Sequence, residues 1–385
     1  MRILQLLSAF QPNGAVSHCL DLSRELSRCG HQVLLGHRLN EVNTKRFEGE
    51  PIELVDCSFR RWPTQELRRI AKLVQEREID LIHTHMSSAH LFGVLLRWGF
   101  GIPCIATAHC SLFQPHWCWN DYVIAVSQST ARFHRRCNLV PRSKLAVVYS
   151  AIETNRFDQV DEQAIAALRA DWSLPADALT IGIVGDVVPR KGQLSLVRAL
   201  PEILKKHPGA KLIVVGACEN RDGFNVDDSY IAQVKETATS LGVTEHLIWQ
   251  GYTRNIAPIM RAIDVCVVPS LNEPFGLVAA EAMAAGTPVV ASKVGGLVDI
   301  VTSEENGLLV QPNRPDLLAA QILRLFDDAA FRKRLGDQGK KSIKSRFSTE
   351  QQLNQVQSIY ESVLSRRSNR HRQSLRTVTM QKQAT

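Results

Sequence analysis

Short apolar runs alternate with longer amphipathic stretches along most of this chain. In the first half, residues 3–7, 32–37, 79–83, 104–108, 122–126 and 145–148 read as strands, with helical periodicity between them, as in 19–28. Runs apolar at nearly every position suit strands buried on both faces, which is the signature of a parallel sheet covered by helices. The alternation restarts after Ser173-Leu174-Pro175: strands at 179–185, 211–216, 247–250 and 264–269, and helices at 192–206, 228–241 and 274–286. The pattern predicts an α/β protein of two parallel domains, 1–170 and 171–348, facing a central cleft. Residues 349–364 form a last helix expected to cross back to the first domain. Residues 365–385 have little apolar content and are expected to be a disordered tail.

The stretch from Ser270 to Gly296 carries the most chemistry. Pro274 is expected at the first turn of a helix, where its missing N–H is harmless, and Gly286 followed by Pro288 marks the stop. The N–H groups of Phe275, Gly276 and Leu277 then face outward, suited to a phosphate or a developing negative charge. Glu281 is the one charged residue between Pro274 and Ser292, set among alanines. A carboxylate on so apolar a helix is costly without a partner, which points to a ligand role. Glu273 and Glu281 stand roughly 10–12 Å apart along the helix axis, a span that fits a pyrophosphate. One carboxylate could hold sugar hydroxyls and the other ribose hydroxyls.

Arg190 and Lys191 directly precede the helix at 192–206. Cations there oppose the helix dipole, so an anion is implied. His83, His85 and His109 follow strands, at the sheet edge where ligands bind; His83 and His85 read as structural, satisfied by backbone at the strand end. The first turn, F-Q-P-N-G-A-V-S-H, is not G-x-G-x-x-G, which removes the main support for a dinucleotide dehydrogenase. Phe113, Trp117 and Trp119 suggest an exposed acceptor- or membrane-facing loop, with local packing as the alternative. No Asp-x-Asp pair stands at a strand end, Asp227-Asp228 reads as a helix cap, and no metal site is expected.

The segment E-P-F-G-L-V-A-A-E-A-M-A-A-G-T-P-V-V-A resembles the E-x(7)-E signature of family 4 retaining glycosyltransferases with the GT-B fold, two Rossmann-like domains facing a cleft. The resemblance implies transfer of a sugar from a UDP- or GDP-sugar to a glycan or lipid-linked acceptor, without cofactor or metal. It implies that Glu273 positions the donor sugar, Glu281 the ribose, and Lys191 in P-R-K-G, with Arg190, the diphosphate. His109 resembles the family's histidine near the donor sugar. Gly14 keeps one glycine of the family's first turn, while Asn13 stands in the neighbouring place. Asp186 occupies a position usually held by arginine. Ser150-Ala151 replaces Asn-Gly in Y-S-A-I-E-T-N-R-F-D. These departures motivate two alternatives, a non-catalytic nucleotide-sugar binder and a nucleotide-sugar epimerase on the same fold.

Composition refines the picture. The nine cysteines include no C-x-x-C pair, so reduced thiols are expected, and the gap between Cys110 and Cys118, near His109 and His116, fits no common zinc site. No apolar run reaches the ~18 residues of a transmembrane helix, and Met1-Arg2 leads straight into a strand, so a cytoplasmic protein is expected. The net charge is +8, and residues 365–385 hold six Lys/Arg and no acid. That distribution suits an anionic membrane surface better than nucleic acid, for which no recognition motif is present.

Overall fold

The computed structural model describes residues 1–8, 13–38, 49–59, 64–175, 177–218 and 226–383, with side chains to 367 in the last helix. The chain divides into two units, Met1–Tyr149 with Thr349–Thr385, and Ser150–Ser348.

The first unit is a parallel sheet. Its strands among the described residues are β1 (Arg2–Leu7), β2 (Gln32–His37), β3 (Glu53–Asp56), β4 (Leu81–His85), β5 (Cys104–Ala108), β6 (Tyr122–Ala125) and β7 (Leu145–Val147), in the order β3-β2-β1-β4-β5-β6-β7. Alternate residues feed two cores. Ile3, Leu7, Val33, Leu35, Leu81 and Ile105 pack with Val16 and Leu22 of the helix Gly14–Arg28 and with Val356, Tyr360 and Val363 of the last helix. Leu4, Leu6, Leu34 and Ile82 pack with Ile70 and Val74 of Thr64–Glu76 and with Phe92 and Leu96 of Ser87–Phe100. Strand β4 starts two residues later than the apolar run suggests. Ile79 N–H instead bonds to Val74 O at the end of the preceding helix, and the shift places His83 and His85 inside the strand, on one face. The edge strand β3, E-L-V-D, has too little apolar signal to be read from sequence.

The second unit has β8 (Thr180–Val184), β9 (Lys211–Val215), β10 (Leu247–Gly251), β11 (Val265–Val268), β12 (Val289–Ser292) and β13 (Leu308–Val310), all parallel, in the order β10-β9-β8-β11-β12-β13. Its core joins Ile181, Ile183, Leu212 and Val267 to Leu196 and Leu200 of Gln193–Lys206, Val234 of Asp228–Ser240 and Ile322 of Pro315–Asp327. The expected boundary at 170/171 moves to Tyr149/Ser150. The helix Glu162–Asp171 is fastened to the second unit by Arg169, which donates to Ala178 O (2.8 Å) and Ala262 O (2.9 Å), and Trp172 is buried. Ser173-Leu174-Pro175 is therefore an internal turn.

The last helix is Thr349–Gln383, which corrects the expected stop at Leu364 and the disordered tail. No glycine or proline interrupts residues 349–383, so nothing in the sequence terminates the helix. Among the described residues no helix is long and apolar enough to cross a membrane.

Each sheet reverses its winding once, between β1 and β4 and between β8 and β11. The carboxyl ends of those strands form the crevices in which open α/β sheets bind ligands. The candidate residues gather at both.

Candidate active site

In the second unit the loops after β8, β11 and β12 pack on one another through glycines. Gly192 has φ +78°, and a Cβ there would lie 2.1 Å from Pro269 O. Leu271 N–H donates to Arg190 O at 2.8 Å, tying the first loop to the second. A Cβ on Gly295 would lie 2.0 Å from Glu273 O, and Gly296 N–H donates to that same oxygen at 2.8 Å. The Gly295-Gly296 pair is thus required by close backbone approach, and it fixes the main chain at Glu273.

The helix that follows is Leu277–Ala284, shorter than the expected 274–286. Gly276 is its N-cap in the left-handed region, φ +109°, so Pro274 and Phe275 belong to the loop. Ala280 N–H closes the first turn on Gly276 O. The outward-facing first-turn amides are therefore those of Leu277, Val278 and Ala279, and of the three expected only Leu277 is among them. The Phe275 ring is buried. The other end closes as a Schellman motif, with Thr287 N–H on Ala282 O, Gly286 N–H on Met283 O and φ +81° at Gly286.

Two of the candidate side chains meet. Lys191 Nζ lies 2.7 Å from Glu273 Oε2, both side chains are seven-eighths buried, and Ser270 Oγ donates to the same carboxylate oxygen at 3.3 Å. Glu281 is buried as expected, but it is paired: the guanidinium of Arg156, from the short helix Asn155–Asp158, donates to Glu281 Oε1. Arg156 was missed in the sequence. It stands beside Phe157, which is fully buried and lies under the guanidinium, 4.7 Å from ring centre to Cζ. The signal was present as R-F in the segment after Ser150-Ala151. Arg190 points to Asp186, Nη2 to Oδ2 3.2 Å, with both side chains half exposed. The charge of Arg190 is thus directed at Asp186, and Lys191 at Glu273. Residues 219–225, after β9, lie outside the described residues.

In the first unit Asn13 is an extended N-cap, φ −154°, whose Oδ1 accepts from Ala15 N (2.9 Å) and Val16 N (3.1 Å). Its side chain caps the helix, which starts at Gly14, well before 19. Phe10, Gln11 and Pro12 of that turn lie outside the described residues. His83 and His85 are held by side chains, not by backbone. His83 contacts Tyr360 OH (2.6 Å) and Thr107 Oγ1 (2.7 Å), while His85 contacts Gln5 Oε1 (2.8 Å) through Nε2 and His109 Nε2 (3.0 Å) through Nδ1. His18 packs edge-on to His109, ring centres 4.8 Å apart. Burial lowers the His18 imidazole to about 4 and that of His83 to about 3, and it holds His85 and His109 well below the usual histidine range. His109 is therefore a neutral hydrogen-bonding group at neutral pH. Of the three expected exposed aromatics, Phe113 and Trp119 are exposed, but Trp117 is buried against His90 and His134.

Comparison with known proteins places the family and agrees with the fold. Residues 12–156 match the family model Glycosyltransferase Family 4, and residues 165–342 match Glycosyl transferases group 1. A D-inositol 3-phosphate glycosyltransferase of Corynebacterium kroppenstedtii is 31% identical over 91% of this chain and 82% of its own length. An uncharacterized glycosyltransferase of Methanocaldococcus jannaschii is 28% identical over 94% and 98%. The same fold occurs in a glycosyltransferase from Rickettsia africae, with a TM-score of 0.86 at 20% identity over 94% of this chain and 98% of that one. It also occurs in Anabaena HepE in complex with UDP-glucose, with a TM-score of 0.83 at 22% identity over 94% and 100%.

Proposed function

The chain belongs to the group 1, family 4 glycosyl transferases, nucleotide-sugar-dependent enzymes of the GT-B fold, and from that premise we propose that it is a retaining hexosyltransferase. The donor is a UDP- or GDP-sugar, the HepE complex with UDP-glucose favouring UDP, and the acceptor is a hydroxyl of a glycan or lipid-linked molecule of the cell envelope. The bond from the anomeric carbon to the diphosphate breaks, a bond to the acceptor oxygen forms, and the acceptor proton leaves with the nucleotide diphosphate.

The observation that carries the reading is the contact of Lys191 with Glu273 at the carboxyl ends of β8 and β11. A buried carboxylate fixed at both backbone and side chain is suited to orient sugar hydroxyls, and a buried ammonium beside it offsets charge growing on the departing diphosphate. The first-turn amides of Leu277–Ala284 add to that field. Arg190 contributes to the extent that Asp186 releases it. Glu281, held by Arg156, binds the ribose, and Gly14 gives the donor side of the first unit a close backbone approach. Neutral His109 supports the oxocarbenium-like sugar without adding a like charge. No metal is assigned a role, because these cations and amides supply the positive charge. The enzyme works in the cytoplasm, peripherally on an anionic membrane.

The test is a donor screen with UDP- and GDP-sugars, reading nucleotide release and the anomeric configuration of the product by NMR. Retained configuration is expected. Tight nucleotide binding without transfer from any donor would favour the non-catalytic reading, and an inverted product would overturn retention.

A further inference from the structure

The first unit holds a cluster of three histidines, of which the proposed transfer uses only His109. His18 comes from the first helix, His85 from the end of β4 and His109 from the residue after β5. Their candidate ligand nitrogens all lie within 4.8 Å of one another. The ring centres form a nearly regular triangle: 4.8 Å for His18–His109, 5.3 Å for His85–His109 and 5.7 Å for His18–His85. Three imidazoles on one tetrahedral ion, with metal–nitrogen distances of about 2.0–2.1 Å, have ring centres roughly 5.2 Å apart. We propose that His18, His85 and His109 form a three-histidine site for a divalent transition-metal cation of the zinc class.

The surroundings support it. Gln5 Oε1, 2.8 Å from His85 Nε2, accepts the proton of that nitrogen and leaves Nδ1 as the ligand atom. Gln352 reaches His18 Nδ1 at 3.3 Å. With its amide turned to present Oε1, it accepts the Nδ1 proton and directs Nε2 to the metal. With the His85 proton on Nε2, the proton in the 3.0 Å contact between His85 Nδ1 and His109 Nε2 belongs to His109. It moves to His109 Nδ1 by tautomerisation, both facing nitrogens then offer lone pairs to the ion, and they move apart by a few tenths of an ångström. His18 turns inward to close the third edge. All three rings are neutral at pH 7, the form that binds metal, so no proton need be displaced by acid-base competition. Three protein ligands leave a fourth position for water or an anion. Since His109 is assigned above to the sugar side of the reaction, occupancy is inhibitory. The site itself stands on the cluster geometry, and only that consequence rests on the proposed function.

The experiment uses the full chain, stripped with EDTA and desalted, with exposed Cys29 and Cys137 changed to serine to remove thiolate binding. It is titrated with Co²⁺ for the visible d–d spectrum and with Zn²⁺ for calorimetry and melting temperature. One metal per chain, a tetrahedral Co²⁺ spectrum displaced by Zn²⁺, and a Zn²⁺-induced rise in melting temperature reversed by EDTA are expected. His18→Ala and His85→Gln should each weaken Zn²⁺ binding at least tenfold, with circular dichroism confirming the fold; should either variant not fold, the wild-type spectrum and stoichiometry still decide. Absence of stoichiometric uptake, an octahedral Co²⁺ spectrum, or equal uptake by folded His18→Ala overturns the site. In the transfer assay Zn²⁺ should lower turnover and EDTA restore it. Histidine-dependent uptake with unchanged turnover supports the site and counts instead against the assigned role of His109.

Discussion

Lys191 and Glu273, 82 residues apart in sequence, place an ammonium nitrogen 2.7 Å from a carboxylate oxygen in a nearly dry setting. Removing one partner of such a pair leaves an uncompensated buried charge, which typically destabilises by about 3–5 kcal/mol. Lys191→Met and Glu273→Gln should therefore each lower the melting temperature, and the double variant should recover much of the loss. Transfer should behave differently. Glu273→Ala is expected to lower kcat by about 10²–10³ with little change in nucleotide affinity, and the stable double variant should stay inactive. Recovery of transfer together with stability would reduce the pair to a structural role.

Glu281 and Arg156 give a prediction about binding. With the carboxylate assigned to the ribose, Glu281→Ala should weaken nucleotide binding about tenfold, near 1.4 kcal/mol. Arg156→Ala should weaken it less, because Arg156 holds Glu281 in place and is assigned no contact with the nucleotide. Calorimetry with UDP and GDP checks both, and an unchanged affinity in Glu281→Ala would remove it from the donor site.

Asp186 and Arg190 are half exposed, so their mutual attraction contributes little to stability, typically under about 1 kcal/mol. Their consequence is electrostatic. With Arg190 assigned to the diphosphate, Arg190→Ala removes that charge, leaves Asp186 uncompensated and should weaken donor binding several-fold. Asp186→Asn should tighten it, and Arg190→Ala combined with Asp186→Ala should return it close to wild type. The effects should shrink in high salt. Unchanged affinity across the three variants, measured at low ionic strength, would show that Asp186 lies beyond reach of the donor.

These residues also show what was legible in the sequence. Periodicity and turn chemistry are local, so both parallel sheets, the Gly286-Pro288 stop and the buried Glu281 could be read directly. Pro274 misled because the local preference of proline for a first helical turn yielded to Gly276, whose left-handed backbone makes it the N-cap and whose close approach to Leu297 and Ile300 leaves no room for a side chain. The partners of Glu273 and Glu281 come from 82 and 125 residues away, and a long-range ion pair leaves no local pattern. His85 and His109 were visible at strand ends but His18 was not, because its approach depends on how the helix after β1 packs beside β4 and β5, which only the sheet order provides.

The buried histidines predict loss of stability in mild acid. His18, His83, His85, His90 and His109 are neutral in the folded chain because burial penalises the imidazolium, whereas in the unfolded chain each takes a proton near 6.5. The unfolded state therefore binds more protons below that value. The stabilising effect of keeping these rings neutral is fully present above about pH 6.5 and is lost as pH falls toward about 4, at about 1.4 kcal/mol per pH unit for each proton. Denaturant midpoints should fall steeply between pH 6.5 and 5, and less steeply in His18→Gln. A midpoint flat across that interval would contradict the neutral cluster.

The proposed membrane surface can be located more narrowly than charge alone allows. Trp98 and Trp119 pack with ring centres 4.4 Å apart and planes tilted by 49°, yet are 53% and 42% exposed, and Phe100 is 43% exposed. Next to them a cavity of about 300 Å³ is lined by Arg97, Lys144, Arg366 and Arg367, with Asp121 as its acid. Aromatic rings suited to the headgroup region and cations suited to lipid phosphate thus share one part of the first unit, where the basic segment 365–385 begins. Each cation near an anionic leaflet contributes about 1 kcal/mol, screened by salt. Co-sedimentation with phosphatidylserine-containing vesicles should be salt-sensitive and reduced by truncation after Leu364. Trp98→Ser with Trp119→Ser should reduce it further, in a manner that added salt does not mimic. Transfer to a soluble acceptor should stay unchanged in all of these variants. Equal sedimentation of the full-length, truncated and double-serine proteins would mark the segment as a solvated helix and the aromatic pair as packing.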